Sequence, residues 1–216
     1  MTKAASPQIA PKPYHHGNLV EALVAATIEI IEERGVENVS VREAAKRASV
    51  SPGAPFRHFR TKTALMTAVA EQAMTRLSAA VATAIAEVGE DDPMVAFEAV
   101  GIGYLRWALG NPTHFQIVSS RSLIDFDSSI SLQKDNDDIR ELMIDLLERA
   151  KADGRISPES KIGQIVFSSR AFVYGLARMA IDGHFPEWHV TQEPFEAVTQ
   201  ALHAFIAQML NSHRPT

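Results

Sequence analysis

Gly53, Phe56, His58, Phe59 and Lys62 follow one another in the pattern Gly-x-x-aromatic-x-His-Phe-x-x-Lys, with Arg57 and Arg60 between them. Small residues beside a run of cations suit contact with a polyanion better than catalysis. Cations meet phosphates, and a start as small as Gly53-Ala54 lets another surface come close. The residues before them read as the support. Ser40 is an N-cap, and Glu43 three positions on completes a capping box. Val41, Ala44, Ala45 and Ala48 form a narrow apolar stripe at helical spacing. Ser49-Val50-Ser51 interrupts it, Ser51 caps a second helix, and Pro52 takes the first position, where no amide donor is needed. Phe56 and Phe59 then share one face of that helix. Helix, tight turn and short basic helix are the parts of a helix-turn-helix, whose second helix enters the major groove.

A second set of residues has the character of a ligand pocket, with apolar walls and a few polar groups. It comprises Tyr104, Trp107, His114, Phe115, Arg121, Met143, Phe167, Arg170, Tyr174 and Met179. Each aromatic or Met taken singly reads first as core packing and only second as a ligand contact. Arg170 and Tyr174 stand one helical turn apart in an apolar helix. A buried Arg there needs either an acid, from Asp125, Asp127, Asp145 or Glu148, or an anionic or carbonyl-bearing ligand. No metal site is expected. His15-His16 flank the entry of the first helix, with Asn18 as its cap, and His184, Glu187 and His189 lack a fixed helical spacing. The chain has no cysteine, no Gly-rich phosphate loop and no Ser in a nucleophile-elbow context. Neither a cofactor nor an enzymatic activity is therefore expected.

The elements that must position these residues are all helical, with no period-2 alternation. Residues 1–13 read as a flexible arm. Helix 19–34 is amphipathic and stops at Gly35. Val36 and Val39 drop into a small core. A long helix over 62–88, begun by Thr61, links the first part to the rest and ends at Gly89-Glu90-Asp91-Asp92-Pro93. Further helices are expected over 94–109, 112–120, 135–152, 157–181 and 194–210, with 122–134 and 184–193 as loops. In the last helix Phe195, Val198, Leu202, Phe205 and Met209 step by three and four in a heptad-like seam. With Val166 and Val173 of the helix before it, this seam buries into the protomer core or into a four-helix interface with a second copy.

Composition sets outer limits. The chain has 216 residues, 46% hydrophobic, with a net charge of −5. Residues 1–62 carry a net +3 and the remainder a net −8, counted along the printed sequence. A basic first third on an acidic body fits a DNA reader with a separate regulatory part. No apolar run reaches the ~20 residues of a membrane span, and the N-terminus has no apolar signal core. A cytoplasmic protein is expected.

The motif from Gly53 to Lys62, with Ser40-Val41-Arg42-Glu43 upstream, resembles the DNA-binding domain of the TetR/AcrR family of bacterial transcriptional regulators. The resemblance is specific over residues 14–77. It implies an all-α chain in which a three-helix DNA-binding domain (14–62) is joined by helix 62–88 to a helical effector-binding and dimerisation domain (63–216). It implies a homodimer on a palindromic DNA operator and repression relieved by a small-molecule effector. Ser40, Arg42, Ser51, Gly53, Ala54, Phe56, Arg57, His58 and Lys62 are the implied DNA contacts. Phe56 departs from the family, which places there a Tyr whose hydroxyl reaches a phosphate; Arg57 or His58 is then left to supply that contact. Around Arg170 one subgroup reads Trp-x-x-x-His-Gly-Leu. Arg170 and Tyr174 replace its Trp and His, so a more polar pocket is expected. Two rival readings remain. One is a helical-bundle enzyme using the region of His114 and Arg170. The other is an effector-independent DNA-binding protein, which would have a filled core.

Overall fold

The computed structural model describes residues 19–212. The arm expected over 1–13 and the reading of His15, His16 and Asn18 lie outside the described residues. Every regular element among those described is a helix, as the periodicity requires, and they fall into two compact units divided between Lys62 and Thr63.

In the first unit, α1 (Leu19–Arg34) and α2 (Val41–Arg47) pack together around Leu23, Ile30, Val39, Val41, Ala44 and Ala45, all buried. A 3₁₀ turn, Val36–Asn38, joins them. It starts at Gly35, whose φ of 86° and ψ of 162° lie in a region essentially reserved for glycine. Ser40 caps α2 by accepting from the Glu43 amide at 3.1 Å. The capping box is only half made, however. The Glu43 carboxylate turns to Arg34 at 3.3 Å instead of reaching back to Ser40.

The second short helix expected from Pro52 does not form. Pro52 and Gly53 lie in a turn, and only Pro55–Arg57 winds, as a 3₁₀ turn. Pro55 is the cause. In a helix capped by Ser51 its nitrogen would bond the Ser51 carbonyl, and proline has no hydrogen to give. The Ala54 amide bonds that carbonyl instead, at 3.1 Å, and the Phe59 amide bonds the Pro55 carbonyl at 2.8 Å. Phe56 and Phe59 consequently part company: Phe59 is buried, whereas Phe56 is 40% exposed.

The second unit holds α3 (Lys62–Val88) from Thr63 onward, α4 (Pro93–Gly110), α5 (Pro112–Ser119), α6 (Ile130–Ala152), α7 (Ile162–Ile181) and α8 (Pro194–Ser212). α4 is the hub and packs against α5, α6, α7 and α8. It is apolar on most sides, so it must be covered all round. Asp92 caps it, accepting from Met94 N at 2.9 Å, and Arg155 pairs with the same carboxylate. Arg106 binds Glu87 at 3.0 Å and ties α4 to α3.

Two helix starts differ from the periodicity. α6 begins at Ile130, five residues before the position expected from the pattern. Ser129 makes this possible: its hydroxyl accepts from Leu132 N at 3.2 Å and donates to Glu71 Oε1 at 2.7 Å, pinning the start of α6 to α3. α7 begins at Ile162, not Ser157, because 157–160 closes as a turn with Ser160 N on Ser157 O at 3.0 Å and Pro158 at its second position.

The apolar seam of α8 does not face outward. Val198, Leu202 and Met209 are buried within the single chain, as are Val166 and Val173 of α7. Each of these five therefore meets the burial its pattern demands inside one chain. Of the seam, Phe195 is exposed, and Phe205 is half-buried and stacks on Phe172 with centroids 4.3 Å apart.

Gly103 sets the spacing of α3 and α4. A Cβ there would stand 2.8 Å from both the Ala80 carbonyl oxygen and the Val81 Cα. Backbone atoms cannot swing aside as a flexible side chain can. Gly103→Ala gains about 1 kcal/mol of helix propensity but must push the helices apart, at a cost of about 1–3 kcal/mol. Net destabilisation of about 1 kcal/mol is expected by urea unfolding; a stabilised variant would show that the two helices separate freely.

Candidate DNA-binding surface and effector cavity

In the first unit the sequence puts every acid early. Glu21, Glu29, Glu32, Glu33, Glu37 and Glu43 all precede Ala44, and no Asp or Glu follows before Lys62. The fold uses part of this acidity as a clamp. Arg47 of α2 reaches Glu33 through both guanidinium nitrogens and Glu29 at 3.3 Å, both on α1. Those bonds hold the Arg47 guanidinium above its ordinary pKa and push the Glu33 carboxyl below its own. The two helices are thereby locked while Arg42, Arg57, His58 and Arg60 remain exposed.

Residues 51–53 are exposed and Ala54 is half-buried, and nothing lies within 4 Å of where a Gly53 Cβ would be. The small start of this segment is therefore open to an approaching surface. Pro55 and Phe59 turn inward and anchor it. Lys62 is half-buried and donates to the Val36 carbonyl; an ammonium has three hydrogens, so two remain for another acceptor. Ser40 spends its acceptor on the cap and keeps its hydroxyl hydrogen. The chain reaches this segment through Ser49, a non-glycine at φ 56°. Sequence reasoning had Ser49-Val50-Ser51 interrupt the helix but missed Pro55, though a proline three residues beyond Pro52 is itself a signal against a continuous helix.

In the second unit the helices enclose a cavity of about 430 Å³. Of the residues singled out from the sequence, Tyr104, Trp107, Phe115, Arg121, Phe167, Arg170, Tyr174 and Met143 line it. His114 and Met179 do not. The His114 ring is buried and lies against Arg76, with Nε2 3.4 Å from the guanidinium. Val166, Val173 and Leu202, read from sequence as interface, line the cavity.

An aromatic cluster forms one side. Tyr104 meets Phe115 edge-on at 6.4 Å, and Phe115 meets Tyr174 at 5.6 Å. The Arg170 guanidinium lies over the Tyr104 ring at 4.6 Å and near the Tyr174 ring at 5.8 Å. Arg170 is exposed rather than buried, and no carboxylate lies within 4.0 Å of it among the described residues. The structural ion pair weighed from the sequence is therefore not made. Asp145 pairs with Arg149, and Asp125 accepts from Ser128 N. Burial pushes the Tyr104 hydroxyl above the ordinary tyrosine range, and the Arg170 charge pulls the other way.

Two family profiles match this chain. "Bacterial regulatory proteins, tetR family" matches residues 23–69, and "Tetracyclin repressor-like, C-terminal domain" matches residues 97–206, half of the chain. The chain belongs to the TetR family. Its family resemblance extends to curated and solved proteins. The HTH-type transcriptional regulator BetI of Yersinia pestis (strain Pestoides F) is 31% identical to this TetR-family chain over 97 residues, 45% of the chain and 47% of the relative. The chain thus spans about half the length of the curated relatives it matches. A solved protein of unknown function from Rhodococcus sp. RHA1 is 28% identical, with a TM-score of 0.76 over 93% of this chain and 100% of that one. A putative tetR family transcription regulator from Shewanella sp. PV-4, 18% identical over 90% of this chain and 97% of its own with a TM-score of 0.65, shares the fold.

Among the described residues no group of His, Cys, Asp or Glu is placed to hold a metal ion. His184 Nδ1 and Glu187 Oε2 stand 3.3 Å apart. No described helix is long and apolar enough to cross a membrane.

The electrostatics of the aromatic cluster set a pH expectation. Spectrophotometric titration, with Tyr104→Phe to identify the signal, should show Tyr104 ionising above the ordinary tyrosine range. Arg170→Met should move it higher still, since it removes the one charge favouring the phenolate. An unchanged titration in Arg170→Met would separate the guanidinium from the hydroxyl.

Proposed function

We propose that this TetR-family chain is a transcription regulator that binds operator DNA as a homodimer and responds to a small molecule in the second-unit cavity. The observation that carries this reading is the largely exposed, small and basic segment 51–62, held on a clamped helix pair and carrying no acid of its own. Gly53, Ala54 and Arg57 meet base edges; Ser40, Arg42, Ser51, Phe56, His58 and Lys62 position the protein on the phosphate backbone. Phe56 acts there through its exposed ring, since it has no hydroxyl to give.

The partner copy docks on the outer face of α7 and α8, where Ala171, Ala204 and Ala207 are exposed and Phe167 is 74% exposed. The regulatory mode is repression relieved by the effector. α3 is one unbroken helix: its first residue is Lys62, and Met74, Leu77 and Val81 line the cavity. A ligand with different affinity for the DNA-competent and incompetent states shifts their populations, by about 1–3 kcal/mol in a typical switch. The setting is the cytoplasm.

Binding to inverted half-sites about 34–36 Å apart, one helical turn, is expected for such a dimer. Ala204→Arg should give monomers in sedimentation that bind single half-sites without cooperativity; a wild-type chain that is itself monomeric at micromolar concentration would remove the dimer. Arg42→Ala should weaken binding to all sequences and flatten the salt dependence by about one unit. Arg57→Ala should relax sequence choice at a cost of about 1–3 kcal/mol on the preferred site. The assignment is wrong if Arg42→Ala alters preference and leaves the slope alone.

A further inference from the structure

The body spends five of its eight described arginines on acids. Among the described residues of the second unit, Arg106, Arg140, Arg149, Arg155 and Arg178 each pair with a carboxylate. Arg76 lies against His114. The two that remain, Arg121 and Arg170, both line the cavity, and both rest on aromatic faces: Arg121 on Phe126 at 3.4 Å, Arg170 on Tyr104 at 4.6 Å. A guanidinium lying over a ring directs its N–H groups past the ring edge; Arg170 shares one with the Tyr104 hydroxyl and has others left, and such a group matches a carboxylate. No Asp or Glu lines the cavity.

The buried polar atoms agree. Trp107 Nε1 and Ser169 Oγ, in residues that line the cavity, are buried and have no hydrogen-bond partner among the described residues. An indole N–H and a guanidinium can only donate. Leaving a buried donor unpaired is unfavourable, and only an acceptor relieves it. Ser119, Asn136 and Arg140, the last paired with Glu141, are the other polar side chains of the lining besides the tyrosines, and the rest is aliphatic and aromatic.

We infer that the cavity takes an organic anion with an apolar body, a small carboxylate whose charged end meets Arg170 or Arg121 and whose other polar atoms are acceptors. This rests on the effector reading above and narrows it to a ligand class. Amines of the same size meet cations and donors and are rejected. Neutral amides keep a carbonyl acceptor but lose the charge.

Matched pairs test this without DNA: 2-naphthoate against 2-naphthamide, and decanoate against decanamide and decylamine. Of the two tryptophans, Trp188 is exposed. In a Trp188→Phe background the fluorescence therefore reports Trp107 alone, with calorimetry as a second measure. At least one carboxylate should bind tenfold or more tighter than its amide, and decylamine should not bind. Arg170→Met combined with Arg121→Met should reduce that preference to threefold or less while amide affinity stays within twofold; melting temperature checks the fold. Amides or amines that bind as well as acids would overturn the inference, and if they also shifted operator affinity the effector reading would stand. If no carboxylate bound at millimolar concentration while operator binding was intact, the ligand class would be wrong and the regulator reading would survive. A wild-type chain that ignores operator DNA but still selects carboxylates would support the inference and remove the regulator reading.

Discussion

A helix that is apolar on most sides cannot stand at a surface, and α4 is such a helix. The second unit is what results from covering it. α6, α7 and α8 lie against it, α5 follows it through Asn111-Pro112, and α3 comes within backbone distance at Gly103. The same helix makes the cavity. Gly101 and Gly103 let neighbours close in, whereas Tyr104 and Trp107, a turn further on, hold them off. Close approach at one level and bulk at the next leave a space that no single side chain fills.

The first unit depends on a different kind of constraint, a backbone one. Gly35, Ser49 and Pro55 each prevent the chain from continuing as it was. Gly35 ends α1 in a conformation other residues avoid, Ser49 turns the chain after α2, and Pro55 stops the following segment from winding fully. The Arg47 clamp then holds α1 to α2 without using the exposed cations. Strain is tolerated where the surroundings over-determine it, and here they do: Phe59 and Pro55 are buried on one side of the segment and Arg57 and His58 exposed on the other.

Much of this was legible in the sequence, for reasons tied to particular residues. α1 ends at Arg34 because Gly35 is a strong stop, and α3 spans Lys62–Val88 because its apolar repeat is unbroken until Gly89. The aromatic and Arg positions gathered from the sequence mostly share one cavity, since they sit on helices that all cover α4. What was not legible depended on partners far along the chain. The start of α6 is set by Ser129 holding Glu71, 58 residues away. The heptad-like seam of α8 has the same spacing whether it faces a second copy or its own protomer, and only the position of α4 and α7 decides between them. Arg170 read as buried because its helix is apolar. It emerges because an arginine at a cavity rim can lay its charge on Tyr104 and leave its edge in water.

A space of about 430 Å³ whose lining includes exposed Phe167, Arg121 and Arg170 is an open cavity, not a sealed void, so water enters it when no ligand is bound. Arg121 and Arg170, exposed and unpaired with acids, are where solvent has reason to enter. On the effector reading proposed above, a ligand there displaces water from apolar walls and answers donors that the protein itself leaves unpaired. Its binding free energy then adds to the stability of whichever state presents the formed cavity. Coupling between occupancy and conformation needs no further device than this: a helix core left incomplete at Tyr104 and Trp107, which a ligand completes.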